Sequence, residues 1–283
     1  MRMLITGARG QLGQALQQAL SGEDLVLKDL PEFDLTQADS ESQIVAARPS
    51  VILHVGAYTN VDGAEREPAR AMAVNAQGTV LVARAASTLN ARLVYVSTDY
   101  VFDGAKATPY REEDAPHPIN VYGQSKREGE IAALTGCSNT LVVRTAWLYG
   151  HGGNNFVKTI MRLAGEKPYL EVVGDQRGSP TNADDLALAL KDLLTRDMRG
   201  ICHVTNTGDC TWHEFAKAIV SLMGLSTPVR SITTAQTGRP AKRPAYSVLA
   251  QERLCAVRNP LPHWQDALAR FMKAAPHLAS TPS

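Results

Sequence analysis

Two side chains with complementary chemistry lie one helical turn apart near the middle of the chain. Tyr122 and Lys126 open a predicted helix, and their spacing places both on one face of it. Reducing a ketone requires a hydride at carbon and a proton at oxygen. A phenol with a pKa of about 10 releases its proton poorly at neutral pH, and a neighbouring ammonium lowers that pKa. The pair therefore predicts a tyrosine general acid and a lysine that also holds a cofactor ribose.

A hydroxyl group at the end of a buried strand would complete this chemistry. Leu93–Val96 is apolar and β-branched, and Ser97, Thr98 and Asp99 follow it directly. In open α/β sheets, ligands bind at the carboxyl ends of the strands. There the Thr98 hydroxyl would hold a carbonyl oxygen and the negative charge that develops on it. A Tyr-x-x-x-Lys spacing alone is common by chance, so its position after this strand and a glycine loop is what favours catalysis.

The glycine loop near the N-terminus predicts where the hydride comes from. Gly7, Gly10 and Gly13 form Gly-x-x-Gly-x-x-Gly between an apolar strand and a helix. Glycine lets the backbone approach a pyrophosphate closely, and the helix N-terminus supplies N–H donors and a positive dipole end. We therefore expect a bound nicotinamide dinucleotide.

The residues after the loop leave the choice between NADH and NADPH open. Asp29 lies where an acid contacts the adenosine ribose, which favours the free 2′-hydroxyl of NADH. Lys28 precedes it, and a nearby cation favours the 2′-phosphate of NADPH. Arg9 either contacts a phosphate or is a solvated loop cation. Asp34 and Leu35 are predicted to contact the adenine, although Asp34 is alternatively a helix cap or turn residue.

Apolar strands alternate with helical patterns along the first half of the chain. Strands are predicted at Met1–Thr6, Leu25–Lys28, Val51–Val55, Leu93–Val96 and Thr140–Arg144, and helices at Gln11–Leu20, Glu65–Leu89 and Tyr122–Leu134. This alternation indicates an α/β fold, a Rossmann-type doubly wound parallel sheet covered on both faces.

The pattern loosens after Gly150. Helices are predicted at Asn155–Ala164, Asp184–Leu194 and Trp212–Met223, short strands at Ile201–Thr205 and Pro228–Ile232, and a loop at Gly238–Tyr246. We expect residues 1–150 to form the NAD(P)-binding domain that carries the catalytic pair. Residues 151–283 are expected to form mainly a smaller substrate-binding lobe, with some segments returning to the main domain. The tail after His277 is expected to fray.

Composition narrows the classes of partner. The 29 basic and 28 acidic residues nearly cancel, so no overall positive field favours nucleic acid. We expect no membrane span, because no run approaches the roughly 20 apolar residues that one needs. We expect no signal peptide, because the N-terminus has neither a long apolar h-region nor a cleavage site. We expect no metal site, since the four cysteines are scattered and no histidines cluster at metal-ligand spacing. Reduced thiols would suit a cytoplasmic protein.

Several motifs together resemble the dTDP-4-dehydrorhamnose reductases of the extended short-chain dehydrogenase/reductase superfamily. They are Val96–Gly104, Pro118–Lys126, Arg144–Gly150, Gly174–Thr181 and Arg243–Ser247. The resemblance spans nearly the whole chain. It implies NAD(P)H-dependent reduction of the C4 ketone of dTDP-4-dehydro-L-rhamnose to dTDP-L-rhamnose, a step in nucleotide-sugar and cell-surface polysaccharide biosynthesis.

The resemblance also implies roles for individual residues. Tyr122 would be the proton donor, Lys126 its partner, and Thr98 the hydroxyl that tunes the site. Residues implied at the pyrophosphate are Gly10, Gln11 and Leu12; those lining the cofactor cleft are Ala57, Tyr58, Thr59 and Val96; those facing the sugar nucleotide are Asp99, Tyr100 and Trp147. Trp147 is alternatively a core residue.

Two positions depart from the family pattern. His54-Val55-Gly56-Ala57 replaces the usual Asn-Ala-Ala-Ala, and we predict that His54 is buried and hydrogen-bonded, not catalytic. Some relatives bridge a dimer through Mg²⁺ and glutamates, one of them in the first helix. Ala15 occupies that region here, so we expect no such bridge, and either a monomer or a homodimer is compatible with the sequence.

Two kinds of alternative compete with reduction: a related enzyme, either an epimerase or a dehydratase, and a non-catalytic binding protein. A related nucleotide-sugar epimerase would retain and recycle NAD⁺, and a dehydratase would need a further acid–base pair. Asp99 is present, but Tyr100 follows it instead of the glutamate that usually completes that pair. A non-catalytic, NADP-binding regulatory subunit of methionine adenosyltransferase also resembles these reductases. The presence of Tyr122, Lys126 and Trp147 disfavours it.

Overall fold

A parallel sheet forms the centre of the computed structural model, which describes residues 1–274. The strands are β1 (Arg2–Thr6), β2 (Asp24–Lys28), β3 (Val51–His54), β4 (Arg92–Thr98), β5 (Thr140–Thr145), β6 (Leu148–Tyr149), β7 (Leu170–Val173), β8 (Arg177–Gly178), β9 (Thr181–Asn182), β10 (Gly200–His203), β11 (Asn206–Thr207), β12 (Cys210–Thr211), β13 (Val229–Ile232) and β14 (Leu261–His263). The central sheet is 6-stranded, in the order β10-β5-β4-β3-β1-β2, and every pairing in it is parallel. The predicted doubly wound α/β fold is confirmed.

Helices cover both faces of this sheet. They are α1 (Gln11–Ala19), α2 (Ser40–Ala47), α3 (Val61–Arg66), α4 (Pro68–Met72), α5 (Gly78–Thr88), α6 (Val121–Gly136), α7 (Phe156–Glu166), α8 (Ala183–Leu194), α9 (Trp212–Leu222), α10 (Glu252–Cys255) and α11 (Trp264–Ala274). Helices α1 and α8 pack together over one face, and α2, α5 and α6 pack over the other. Strands β3 and β5 are buried along their whole length, which explains why both are continuously apolar or hydrogen-bonded.

The single helix predicted over Glu65–Leu89 is wrong. Pro68 has no N–H and restricts the residue before it, so α3 ends at Arg66 and α4 starts at Pro68. A π-helical turn over Ala73–Gln77 then separates α4 from α5. Such turns often occur at functional sites, and this one packs against α6, the helix that carries Tyr122 and Lys126.

The second half of the chain combines small sheets with segments that join the central sheet. Four two-stranded pairings, β6–β9, β7–β13, β8–β12 and β11–β14, surround a separate apolar cluster that contains Tyr149, Phe215, Trp264 and Phe271. By contrast, β10 pairs with β5 at the edge of the central sheet, and α8 packs on α1. The chain thus crosses more than once between the central sheet and this second cluster.

The far C-terminus lies outside the described residues, and the tail predicted to fray after His277 falls there. Within residues 1–274, none of the helices has the length and apolar character that crossing a membrane requires.

Candidate active site

A cleft of about 780 Å³ opens at the carboxyl ends of β1, β3, β4 and β5. Strand β1 lies between β2 and β3, so the chain winds outward from it in both directions. Ligands of doubly wound sheets bind at such a switch point. Nearly all of the predicted site residues line this cleft: Gly7, Gly10, Gln11, Leu12, Gly13, Asp29, Asp34, Leu35, Ala57, Thr59, Val96, Thr98, Asp99, Tyr100, Tyr122, Lys126 and Trp147.

Among the described residues that line the cleft, every predicted site residue is present except Tyr58. Its phenol donates to the exposed Glu67 carboxylate at 2.9 Å. Its main chain is held instead by Asn75 in the π-helical turn, which accepts from the Tyr58 N–H at 2.8 Å and donates to the Tyr58 carbonyl. Asn75 also donates to Ser125 of α6 at 2.9 Å. No motif indicated Asn75.

The glycine loop has the shape that a dinucleotide requires. Gly7 has a φ of +67°, and a Cβ there would come within 2.6 Å of the Gly56 backbone. A Cβ on Gly13 would collide with the Gly7 carbonyl oxygen. Helix α1 starts after Gly10, and among the described residues no side chain caps it. Its first N–H groups therefore point into the cleft without a side-chain partner, and the loop fits a pyrophosphate.

Charged residues surround the end of the cleft where β2 finishes. The Asp29 carboxylate accepts from the main-chain N–H groups of Arg9 at 2.7 Å and Leu30 at 2.8 Å, so it ties β2 to the glycine loop. Asp34 accepts from the N–H and hydroxyl of Thr36, at 2.9 and 2.8 Å. Asp34 therefore makes a turn and lines the cleft at the same time.

Helix α6 carries Tyr122 and Lys126 into the cleft. Asn120 caps it by accepting from the Gly123 N–H at 2.7 Å. The Lys126 ammonium donates to the Val96 carbonyl at 2.7 Å and lies 4.1 Å from the centre of the Tyr95 ring. Lys126 is thus fixed between the helix and the end of β4, beside the predicted cofactor cleft.

Desolvation dominates the ionisation of this pair. It raises the pKa of Tyr122 to about 12, although the Thr98 hydroxyl acts in the opposite direction. It lowers the pKa of Lys126 to about 7, against the raising influence of the Glu130 carboxylate. We expected Lys126 to lower the pKa of Tyr122. Burial raises the pKa of Tyr122 instead, so the phenol keeps its proton at neutral pH.

Glu130 of α6 forms a buried ion pair with Arg144 of β5. Its carboxylate accepts from Nε and Nη2 of Arg144, both at 2.8 Å, and both side chains are 0% exposed. Arg127 donates to the same carboxylate at 2.8 Å. The pair ties α6 to β5 and compensates two charges that would otherwise be costly to bury.

Thr98 and Asp99 are hydrogen-bonded to each other at the end of β4. The Thr98 hydroxyl donates to Asp99 Oδ1 at 3.0 Å and accepts from the Tyr100 N–H at 3.1 Å. Asp99 Oδ2 is buried and has no hydrogen-bond partner among residues 1–274. Desolvation raises the pKa of Asp99 to about 6. A polar contact is therefore still available at this point of the cleft.

Two tryptophans form a wall at the opposite end of the cleft from β2. Trp147, with a φ of +47°, stacks on Trp212 with ring centroids 3.5 Å apart and planes inclined by 4°. Gly178 packs against the Trp147 indole, since a Cβ there would come within 2.5 Å of it. Trp212 opens α9 and was missed by the motifs, because its indole reaches the cleft only through the packing of the second half.

Asn155, another residue that the motifs did not indicate, links the two halves of the cleft. Its side chain donates to Gln11 of the glycine loop at 3.0 Å and caps α7 by accepting from the Lys158 N–H at 3.0 Å. The helix cap at α7 therefore also holds the glycine loop against the second half of the chain.

His54 has the structural role that we predicted. It is 1% exposed and hydrogen-bonds to Thr6 at 2.7 Å and to Thr79 at 3.1 Å. Burial and the Lys126 charge lower its pKa to about 3, so it is neutral at physiological pH. Within residues 1–274, no group of three or more His, Cys, Asp and Glu side chains is arranged to hold a metal ion.

The fold and the cleft define a class: a Rossmann-type protein of the extended short-chain dehydrogenase/reductase kind. The comparison with protein families is more specific. The model described as the RmlD substrate binding domain matches residues 1–276, and the chain belongs to that family.

Relatives match along almost their full length. A dTDP-4-dehydrorhamnose reductase of Sinorhizobium fredii is 41% identical, with 97% of each chain covered. A probable dTDP-4,6-dihydroxy-2-methyloxan-3-one 4-ketoreductase of Streptomyces antibioticus is 39% identical, with 95% of this chain and 93% of the relative covered. The crystal structure of a dTDP-4-dehydrorhamnose reductase from Bacillus anthracis in complex with NADP superposes with a TM-score of 0.94. It is 42% identical, with 96% of this chain and 99% of that chain covered.

Proposed function

We propose that this chain reduces the C4 ketone of dTDP-4-dehydro-L-rhamnose to the alcohol of dTDP-L-rhamnose, with NADPH or NADH as hydride donor. One observation carries the proposal: Tyr122, Lys126 and Thr98 converge on the same cleft as the glycine loop. The relatives named above support the substrate, and the NADP complex from Bacillus anthracis supports the cofactor.

The glycine loop and the N-terminus of α1 would hold the pyrophosphate of the cofactor. When bound, the cofactor supplies the hydride. Lys126 is fixed by the Val96 carbonyl beside the position expected for the cofactor ribose, and its ammonium would donate to the ribose hydroxyls. Gly7 and Gly13 let the loop pack closely against the Gly56 backbone and against its own first turn, which keeps the loop in the conformation that the phosphates need.

Tyr122 would supply the proton in the same reaction. Its pKa of about 12 keeps the phenol protonated at neutral pH, and the alkoxide formed at C4 is a much stronger base than a phenolate. The proton therefore passes from the phenol to the alkoxide, and the carbonyl becomes an alcohol. The Lys126 ammonium, one helical turn away, stabilises the phenolate that remains.

Thr98 would orient the carbonyl oxygen. Its hydroxyl donates to Asp99 in the structure, so we expect it to turn towards the substrate while Asp99 takes up a substrate hydroxyl. Tyr100 and the tryptophan wall of Trp147 and Trp212 would face the deoxysugar, because flat aromatic faces suit its apolar side.

We further propose that residues 1–150 mainly bind the cofactor and residues 151–283 mainly bind the nucleotide sugar. Trp212 of the second half supports this division, since it lines the cleft and stacks on Trp147. Strand β10 would be a segment that returns to the main domain.

The four cysteines, all in the described range, form no disulfide, which supports a cytoplasmic location.

The proposal is tested by following the absorbance of NADH and NADPH separately with dTDP-4-dehydro-L-rhamnose. We expect stoichiometric loss of reduced cofactor and formation of the 4-hydroxy sugar. A parallel assay with a different dTDP-4-ketosugar tests whether dTDP-4-dehydro-L-rhamnose is the preferred substrate. This assay is needed because the Streptomyces antibioticus relative is named for a different dTDP-ketosugar.

Each other outcome points to a different function. Interconversion of two sugar nucleotides without net loss of reduced cofactor would indicate an epimerase. A regulatory subunit would bind the cofactor, turn over no sugar nucleotide and co-purify with a methionine adenosyltransferase. Either result would overturn the proposal.

A further inference from the structure

A second, smaller depression adjoins the cleft at the end of β2. Two cations, Arg9 and Lys28, line it together with Glu32 and Phe33. The Lys28 ammonium donates to Gln43 at 3.1 Å and lies 5.5 Å from the centre of the Phe33 ring. Lys28 is thus already engaged with neighbours of its own, and Arg9 is the cation that also lines the main cleft.

The Arg9 guanidinium is held by a carboxylate. Nη2 of Arg9 lies 2.9 Å from one carboxylate oxygen of Glu32 and 3.1 Å from the other, while Nη1 donates to the Leu30 carbonyl. The Arg9 main chain is fixed separately, because its N–H donates to Asp29 at 2.7 Å. The side chain is therefore free to change partners without moving the glycine loop.

The two cofactors differ only at this end of the cleft. NADPH carries a 2′-phosphate, and phosphate monoesters have a charge of about −1.5 to −2 at neutral pH. Arginine binds phosphate through two parallel hydrogen bonds, donated by two of the three guanidinium nitrogens. Glu32 holds Nη2 and the Leu30 carbonyl holds Nη1, and the Glu32 carboxylate adds a negative charge beside the place where the phosphate would lie. NADH, with a free 2′-hydroxyl, would meet Asp29 and would not require Arg9.

We propose that Glu32 is a positioning residue for cofactor selectivity: it holds the Arg9 guanidinium away from the 2′-phosphate, and so reduces the preference for NADPH over NADH. The proposal rests on the proposed function, because it concerns the same nicotinamide cofactor. It does not depend on which sugar is reduced.

Direct binding of NADPH and of NADH to the full chain, measured by titration calorimetry at low salt, tests this proposal. We expect Glu32→Gln to lower the Kd of NADPH about three- to tenfold, since it releases Nη2 of an exposed arginine, leaves only the neutral Leu30 carbonyl to compete for the guanidinium, and removes a repulsive charge. The Kd of NADH is expected to change less than about twofold. Arg9→Gln is expected to raise the Kd of NADPH about tenfold, again with little effect on NADH.

Two further variants separate positioning from a general charge effect. Glu166→Gln removes the same charge from an exposed ion pair with Arg162, of 2.7 Å, on α7, and is expected to leave both Kd values unchanged. In the Arg9→Gln background, Glu32→Gln is expected to lose most of its effect on NADPH, because Glu32 acts through Arg9.

The outcomes distinguish this proposal from the proposed function. If both cofactors bind but Glu32→Gln leaves the ratio of their Kd values unchanged, the selectivity proposal is wrong and the reductase proposal is unaffected. If Glu32→Gln tightens NADPH equally with and without Arg9, positioning is wrong and simple repulsion is the cause. If neither cofactor binds the unaltered chain, the proposed function fails, and this proposal fails with it.

Discussion

The two ends of the cleft are built in different ways. The end that we propose for the cofactor, called the cofactor end, is made mainly of backbone, from the consecutive residues Gly7 to Gly13 and the first turn of α1. The end that we propose for the sugar, called the sugar end, is made of side chains, among them Thr98, Trp147 and Trp212, which come from distant parts of the chain. A site made of consecutive backbone leaves a compact pattern in the sequence, whereas a site made by packing leaves single residues that no spacing connects.

The difference extends to how each end is held in place. The glycine loop needs room for close backbone contacts, and a Cβ at Gly7 or Gly13 would take that room. The sugar end needs contacts: Trp147 is kept at a φ of +47° by stacking on Trp212 and by packing on Gly178. A non-glycine residue rarely adopts such a φ unless its surroundings stabilise it. Small substitutions should therefore damage the cofactor end by filling it and the sugar end by loosening it.

The largest effect is expected at Tyr122, where the two ends meet. Tyr122→Phe removes the proposed proton donor and leaves the ring in place, so kcat should fall about 10²- to 10⁴-fold. The Kd of the cofactor should change less than about twofold. Single-turnover kinetics and cofactor titration measure the two quantities. Near-normal turnover in this variant would show that the proton comes from another group.

The next largest effect is expected in the glycine loop. A Cβ at position 13 would collide with the Gly7 carbonyl, so Gly13→Ala should weaken cofactor binding about 10- to 100-fold, as overpacking of a close contact does. Gly165→Ala on α7 is the matched control, since a Cβ there meets nothing within 4 Å among the described residues. Near-ultraviolet circular dichroism should show an unchanged tryptophan stack in both variants. An equal loss of affinity in the control would contradict the steric explanation.

A smaller effect is expected at the tryptophan wall. Trp212→Ala leaves Trp147 without its stacking partner, and KM for the nucleotide sugar should rise about tenfold, because an aromatic pair contributes about 0.5–1.5 kcal/mol beyond the area it buries. The cofactor Kd should stay within about twofold. Trp212→Phe keeps an aromatic face and should retain most of the affinity. A loss confined to cofactor binding would place Trp212 at the wrong end of the cleft.

The smallest effect is expected in stability. The pKa of Asp99 is raised from 3.8 to about 6 in the folded chain, so the folded state favours the protonated carboxyl. Its ionisation costs no stability below about pH 4, and the cost grows as the pH rises to about 6 and is then constant. Asp99→Asn should therefore stabilise the chain more at about pH 7.5 than at about pH 5, by about 1 kcal/mol. Urea unfolding at both pH values measures this difference. A gain that is independent of pH would show that Asp99 is not desolvated.

Much of the fold was predictable because its signals are local. Apolar strands such as β3 and β5 are buried throughout, and the loop between β1 and α1 has a recognisable spacing. The interruption of the helix over Glu65–Leu89 was also visible in principle, since Pro68 restricts the residue before it. The π-helical turn was not, because its Asn75 bonds to Tyr58 and Ser125, which are distant from it along the chain.

By itself, the sequence determined that a glycine loop, a strand end with Thr98 and a helix with Tyr122 and Lys126 occur in that order. Those are properties of short segments, and the physics of helix and strand spacing is enough to interpret them. Tertiary structure alone decided that the pKa of Tyr122 is raised by burial, whereas its spacing from Lys126 had predicted a lowered pKa. Tertiary structure alone also decided that Trp212 reaches the cleft. Desolvation and side-chain stacking depend on what surrounds a group in space, and neighbours distant along the chain supply most of those surroundings.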